Sequence, residues 1–101
     1  MRISSTGEVL TVYLKGEIDH HSAKAMREEI DKAIDFNMPS LLILDFTEIT
    51  FMDSSGIGLI IGRSEICESL GCRVEITGLT GTMRKVVMLS GIKRLKNISL
   101  V

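Results

Sequence analysis

The sequence predicts a single α/β domain: one mixed β-sheet carrying amphipathic helices. Three observations predict it. Apolar residues recur at every second position in some stretches and at every third or fourth in others. The two kinds of stretch alternate in the order ββαβαβαβ, with 10 to 15 helical residues between later strands, as right-handed crossovers of a mostly parallel or mixed sheet require. The chain is 101 residues long, 45% hydrophobic and 25% charged, which fits one domain over 1–101 with one core and is not a disordered composition.

Ile3 falls in a short first strand, and Thr6 and Gly7 suggest a turn. The stretch 8–16, EVLTVYLKG, sets Leu10, Val12 and Leu14 against Thr11, Tyr13 and Lys15, the pattern of a strand with one buried face. From Asp19 the period changes. Ala23, Met26, Ile30, Ala33 and Ile34 line one side of a helix, Asp19 or Ser22 can cap its first turn, and Asn37 and Pro39 end it. Residues 40–46, SLLILDF, form an apolar run too short for a helix and read as a strand buried on both faces. A second helix spans about 55–70 and stops at Gly71. Residues 72–79 alternate Cys72, Val74 and Ile76 as the next strand. Thr80 can cap a third helix containing Met83, Val86, Val87 and Leu89, closed by Gly91, and 94–101 is a last strand. With few aromatic residues, Leu, Ile, Val and Met are expected to fill the core.

A net charge of −1 with no cluster of basic residues gives no electrostatic reason for nucleic acid or an anionic membrane as partner. No apolar run approaches the roughly 20 residues that span a bilayer, and the N-terminal stretch lacks a signal-peptide core, so a cytosolic protein is expected. Cys67 and Cys72 read as small buried hydrophobes, not as a disulfide framework.

The residues that invite a function are FMDSSGIGLIIGR, 51–63, where an Asp and two Ser stand between an apolar run and a helix. In such sheets, sites gather where strand C-termini meet helix N-termini, whose free N–H groups and partial positive charge favour anions. Asp53, Ser54 or Ser55 can cap the helix, but one cap needs one side chain. A catalytic serine would need a base and an orienting partner, whereas His20 and His21 form no recognisable triad and the GxSxG context is missing. Gly56, Gly58 and Gly62 give GxGxxxG, not a dinucleotide loop. Gly58 and Gly62 are expected to let a neighbouring element approach, with Ile57, Ile60 and Ile61 supplying core contacts. DHH at 19–21 also occurs in a phosphoesterase signature, but the further carboxylates and histidines of a metal site are not found. No enzyme, cofactor or metal is expected.

Two long motifs carry a resemblance: LKGEIDHHSA, 14–23, and FMDSSGIGLIIGR, 51–63, with MRKVVMLSGI, 83–92, as weaker support. Together they resemble the STAS domains of anti-sigma factor antagonists, most closely the sporulation class acting on the anti-sigma F factor, along nearly the whole chain. The resemblance implies a partner-switching regulator of transcription. Its unphosphorylated form binds an anti-sigma factor that is also a serine kinase and so frees the sigma factor; the kinase phosphorylates the first serine of DSSG, and a serine phosphatase reverses it. Carried onto this chain, the acceptor is Ser54, Ser55 caps or supports, and Asp19, His20, His21, Asp53, Ser54, Ser55 and Gly56 meet the partner. Chemistry alone does not separate Ser54 from Ser55; the choice rests on the motif. Family members usually continue into a C-terminal helix, whereas this sequence ends at Val101; either the sheet lacks a cover or the chain is a shortened one. The other reading that the resemblance allows is a STAS-type interaction module of another stress or nucleotide-sensing complex.

Overall fold

The structure, a computed structural model describing residues 1–101, has the predicted element order. β1 (Arg2–Thr6) and β2 (Val9–Ile18) form an antiparallel hairpin with Arg2 opposite Tyr13. β3 (Leu41–Met52), β4 (Arg73–Thr77) and β5 (Ile98–Leu100) then add in parallel, giving the sheet order β1-β2-β3-β4-β5. The crossovers are α1 (His20–Asn37), α2 (Ser54–Ser69) and α3 (Gly81–Leu89), the last followed by a 3-10 turn at Ile92–Arg94.

That strand order explains where the core lies. Right-handed crossovers that always step in the same direction put their helices on one face of the sheet. On that face Leu10, Val12 and Leu14 of β2, Leu42, Leu44 and Phe46 of β3, and Val74 and Ile76 of β4 are buried against Ala23, Met26, Ile30 and Ile34 of α1 and Leu59, Ile60 and Cys67 of α2. The alternate residues, Thr11, Tyr13, Leu41, Ile43 and Glu75, are only half covered. The expectation that 40–46 is buried on both faces is thus corrected: one face packs, and the other carries such contacts as the Arg2 guanidinium 4.0 Å above the Tyr13 ring. Of the six methionines only Met26 is buried, and of the three phenylalanines only Phe46.

β3 also runs on past 46, to Met52. Its register with β2 jumps twice, from Tyr13↔Asp45 to Lys15↔Glu48 and from Gly16↔Ile49 to Glu17↔Phe51, each time with one extra residue on β3. Such bulges break the two-residue period that marks a strand in sequence. Beside the first bulge, Asp45 Oδ1 accepts from the Thr47 amide at 2.8 Å, and Gly78 lies against it at φ 79°. A Cβ at Gly78 would strike the Thr47 backbone.

The close approach expected at Gly58 and Gly62 is not there, since a Cβ at either would meet nothing within 4 Å. It occurs instead at Gly56, where a Cβ would collide with the Met52 side chain. Leu59 and Ile60 are buried on α2, while Ile57 and Ile61 pack only partly. The last strand is shorter than expected, three residues instead of 94–101, because Arg94 closes the 3-10 turn and residues 95–97 form a bend and turn ahead of the strand. A buried network anchors it. Asn97 Nδ2 donates to the Ser64 and Cys72 carbonyls at 3.0 and 3.1 Å, and Ser64 Oγ donates to Asn97 Oδ1 at 2.7 Å. Cys67 and Cys72 are buried free thiols, and burial pushes the Cys67 thiol up to about 12.

One buried charge joins the two long helices. Arg63 of α2, 4% exposed, brings Nε to 2.7 Å from Asp31 Oδ1 of α1, at an angle that makes the contact an ion pair more than a hydrogen bond. Burial pulls the guanidinium pKa down and the Asp31 charge opposes it.

Candidate functional site

Two helix N-termini meet at the C-terminal end of the parallel pair β2–β3. Ile18 is the register partner of Met52, and each strand is followed by one capping aspartate, Asp19 before α1 and Asp53 before α2. The Asp53 amide donates to the Ile18 carbonyl at 3.1 Å, which ties the two caps together.

The caps differ in strength. At α1, Asp19 Oδ1 accepts from the His21 and Ser22 amides, both at 2.9 Å, while Ser22 Oγ accepts from the Asp19 amide at 3.0 Å. Asp19 and Ser22, alternatives in sequence, thus act together as a reciprocal capping box. Ser22 Oγ also donates to the Glu17 carbonyl at 2.7 Å, fastening the box to β2. The bond from the Ser22 amide, with those from the His21 amide and the Ser22 hydroxyl, holds the Asp19 carboxyl below its ordinary value, and desolvation opposes them. At α2 a single bond serves, with Asp53 Oδ1 accepting from the Ser55 amide at 2.7 Å.

Asp53 therefore takes the capping task, and the helix begins at Ser54, not Ser55. Of the two roles expected of Ser55, capping or support, capping is corrected: its amide is capped by Asp53, and its hydroxyl caps nothing. Ser54 is exposed at the first helical position, while Ser55 is half-buried and turned toward α1. There it lines a cleft of about 250 Å³ with His20, Ala23, Arg27, Gly58 and Leu59. Thr80, the N-cap of α3, makes no side-chain capping bond. Gly56 is buried behind the serines, pressed against Met52.

All seven residues singled out in sequence, Asp19, His20, His21, Asp53, Ser54, Ser55 and Gly56, come together at this rim. His20 and His21 are exposed, with ring centroids 4.0 Å apart. No imidazole is hydrogen-bonded to either serine hydroxyl, so no nucleophile–base pair is assembled. What the arrangement offers chemically is a free primary hydroxyl at a helix N-terminus, able to take up an anion without displacing the cap, since the helix start favours negative charge.

Sequence reasoning passed over three residues. Arg27 lies seven after His20, hence on the same helical face, and brings a cation to the cleft. Arg63 recurs with Leu59, Ile60 and Cys67 at helical spacing, the sign of a charge on a buried face. Phe51, the large residue before the DSSG turn, is 52% exposed.

Comparison with known proteins extends this geometry. The STAS domain family matches residues 1–100. The anti-sigma F factor antagonist of Lysinibacillus sphaericus is 37% identical over 87 residues, which cover 86% of this chain and 74% of the relative. Among solved structures, the anti-sigma factor antagonist SpoIIAA in its unphosphorylated form superposes with a TM-score of 0.82 at 30% identity, covering 99% of this chain and 86% of the other. The Bacillus cell fate determinant SpoIIAA in the phosphorylated form gives 0.76 at 33% identity, covering 99% and 89%.

Proposed function

The chain belongs to the STAS domain family, and on that premise we propose that it is an anti-sigma factor antagonist switched by phosphorylation of Ser54. The unphosphorylated form binds an anti-sigma factor with serine kinase activity and so releases the sigma factor. Phosphate on Ser54 blocks that binding, and a serine phosphatase restores it. The protein acts by docking, through the rim where Asp19, His20, His21 and Asp53–Gly56 meet.

The observation that carries this reading is the exposed Ser54 hydroxyl at the first position of α2, left free because Asp53 supplies the cap. Phosphorylation adds about 1.5 to 2 negative charges and three acceptor oxygens. At a helix start that charge is tolerated, and the adjacent Asp53 offsets part of the gain, so the fold is expected to persist. The likeness of this chain to both an unphosphorylated and a phosphorylated relative supports a local switch over a refolding one. The effect on docking is large by contrast. An unpaired dianion enclosed in a packed interface costs several kcal/mol, and about 3 kcal/mol is already more than a hundredfold in affinity.

The test is incubation with the cognate anti-sigma factor and ATP, followed by mass-spectrometric mapping of the phosphate and titration of both forms against the anti-sigma factor. Incorporation at Ser54, loss of it in Ser54→Ala, and at least about a hundredfold weaker binding of the phosphorylated form are expected. A phosphate placed only on Ser55, or equal affinity of the two forms, overturns the proposal.

A further inference from the structure

Beside the serine, on the side away from α1, lies a second cleft that the phosphoacceptor reading leaves unused. It holds about 240 Å³ and is lined by Thr50, Phe51 and Met52 from the end of β3 and by Thr82, Met83 and Val86 from α3. Four of these six residues are apolar, and the Thr50 hydroxyl is turned to β2, donating to the Gly16 carbonyl at 3.3 Å. Phe51 is 52% exposed and Val86 45% exposed, in a chain with only three phenylalanines. Phe51 stands three residues before Ser54, hence within about 11 Å along an extended chain. Met52, the cleft's other β3 apolar residue, is the side chain against which Gly56 is pressed.

We propose that this cleft is the apolar anchor of the docking face, and that it receives one aliphatic or aromatic side chain of the anti-sigma factor. The inference rests on the reading of Ser54 as the phosphoacceptor. A protein that covers Ser54 and Asp53 also covers Phe51, because strand and turn present them on one continuous rim. Interfaces draw most of their affinity from a few apolar or aromatic side chains seated in pockets and ringed by polar groups that exclude water. On the α1 side of this rim the apolar residues of the cleft, Ala23 and Leu59, are themselves buried behind His20, Arg27 and Ser55, whereas Phe51 and Val86 are exposed in the cleft on the α3 side. On this reading a charge on Ser54 acts close to the apolar contact, since Met52 of the cleft is the side chain against which Gly56, two residues after Ser54, is packed. Other apolar exposures lack this continuity. Leu89, 87% exposed, falls outside the cleft on α3, and Phe36, 88% exposed, belongs to the C-terminal end of α1.

The experiment measures the Kd of the unphosphorylated parent, Phe51→Ser, Val86→Ser and Leu89→Ser for the cognate anti-sigma factor by calorimetry, with phosphate incorporation at saturating anti-sigma factor followed alongside. All three replaced side chains are surface-exposed, and thermal melting of each variant checks that it folds. Phe51→Ser and Val86→Ser are expected to raise Kd at least about tenfold, Leu89→Ser to leave it within about twofold, and all three still to be phosphorylated at Ser54. If the parent binds and is phosphorylated while Phe51→Ser and Val86→Ser bind equally well, the anchor is refuted and the Ser54 reading stands. If the folded parent neither binds nor is phosphorylated, both fall together.

Discussion

Removing the Asp31 carboxylate should cost far more than removing the arginine it faces. Arg63 is 4% exposed and its guanidinium has one charged neighbour of opposite sign within bonding distance, whereas the Asp31 side chain is 35% exposed. In Asp31→Ala the guanidinium keeps its charge, because arginine does not deprotonate in proteins, and only a long contact to the Leu59 carbonyl at 3.5 Å remains. Breaking a buried pair in this way costs about 3 to 5 kcal/mol; with one partner a third open to water, the lower end, about 3 kcal/mol, is the expected loss. Arg63→Met removes the charge together with its desolvation, keeps most of the packed stem, and leaves a carboxylate that can turn to solvent. Its cost should stay within about 1 kcal/mol. The double variant should resemble Arg63→Met, giving a coupling of about 3 kcal/mol, equal to the whole cost of Asp31→Ala. Urea unfolding followed by circular dichroism reads all four proteins, and for a domain of this size Asp31→Ala should melt at least about 12 °C below the parent. If Asp31→Ala is no less stable than Arg63→Met, the pair does not hold α1 to α2 electrostatically, and the reasoning from burial fails.

Further outcomes follow from the same structure. Since the folded Asp19 carboxyl titrates below its ordinary value of 3.8, its stabilising effect is complete above that pH and is lost as pH falls through the folded value. The melting-temperature gap between parent and Asp19→Asn should therefore close on acidification and stay level from pH 5 to 7; a gap that widens toward acid contradicts the cap. Gly78→Ala, which forces a side chain into positive φ and into the Thr47 backbone, should destabilise by at least about 2 kcal/mol in denaturant titration, and a neutral result would deny the close approach. With Cys67 pushed to about 12, only about one thiol in ten thousand is ionised at pH 8. Reaction with a disulfide reagent should be slow in the folded protein and fast in urea, and equal rates would contradict the burial.

The fold was legible wherever one period held without interruption. α1 shows its Ala23–Met26–Ile30–Ile34 stripe directly, and β2 and β4 show their alternation. β3 was legible only as far as its first bulge, because the extra residues shift the buried positions from Leu42, Leu44 and Phe46 to Ile49 and leave Thr47 and Glu48 exposed between them. That a sheet is covered on one face depends on the sequential order of its strands, which no local window contains; SLLILDF therefore looked like a doubly buried strand. At the rim, the seven residues and their convergence followed from the two motifs, while the division of labour among Asp53, Ser54 and Ser55 did not. Three capping-type side chains in a row are equivalent until the helix phase is fixed, and that phase turns Ser55 toward Arg27 and leaves Ser54 outside. Arg63 and Phe51 escaped notice because each breaks a composition rule, a charge inside and an aromatic outside, whose meaning depends on what lies opposite.

β3 outruns its neighbour: pairing with β4 ends at Asp45↔Thr77, while pairing with β2 continues to Met52. The DSSG turn is thus borne on a prow stiffened by β2 and extended beyond the hull of the sheet. Ser54 is exposed at that tip, so under the proposed switch a phosphate can be added or removed there without a folding event.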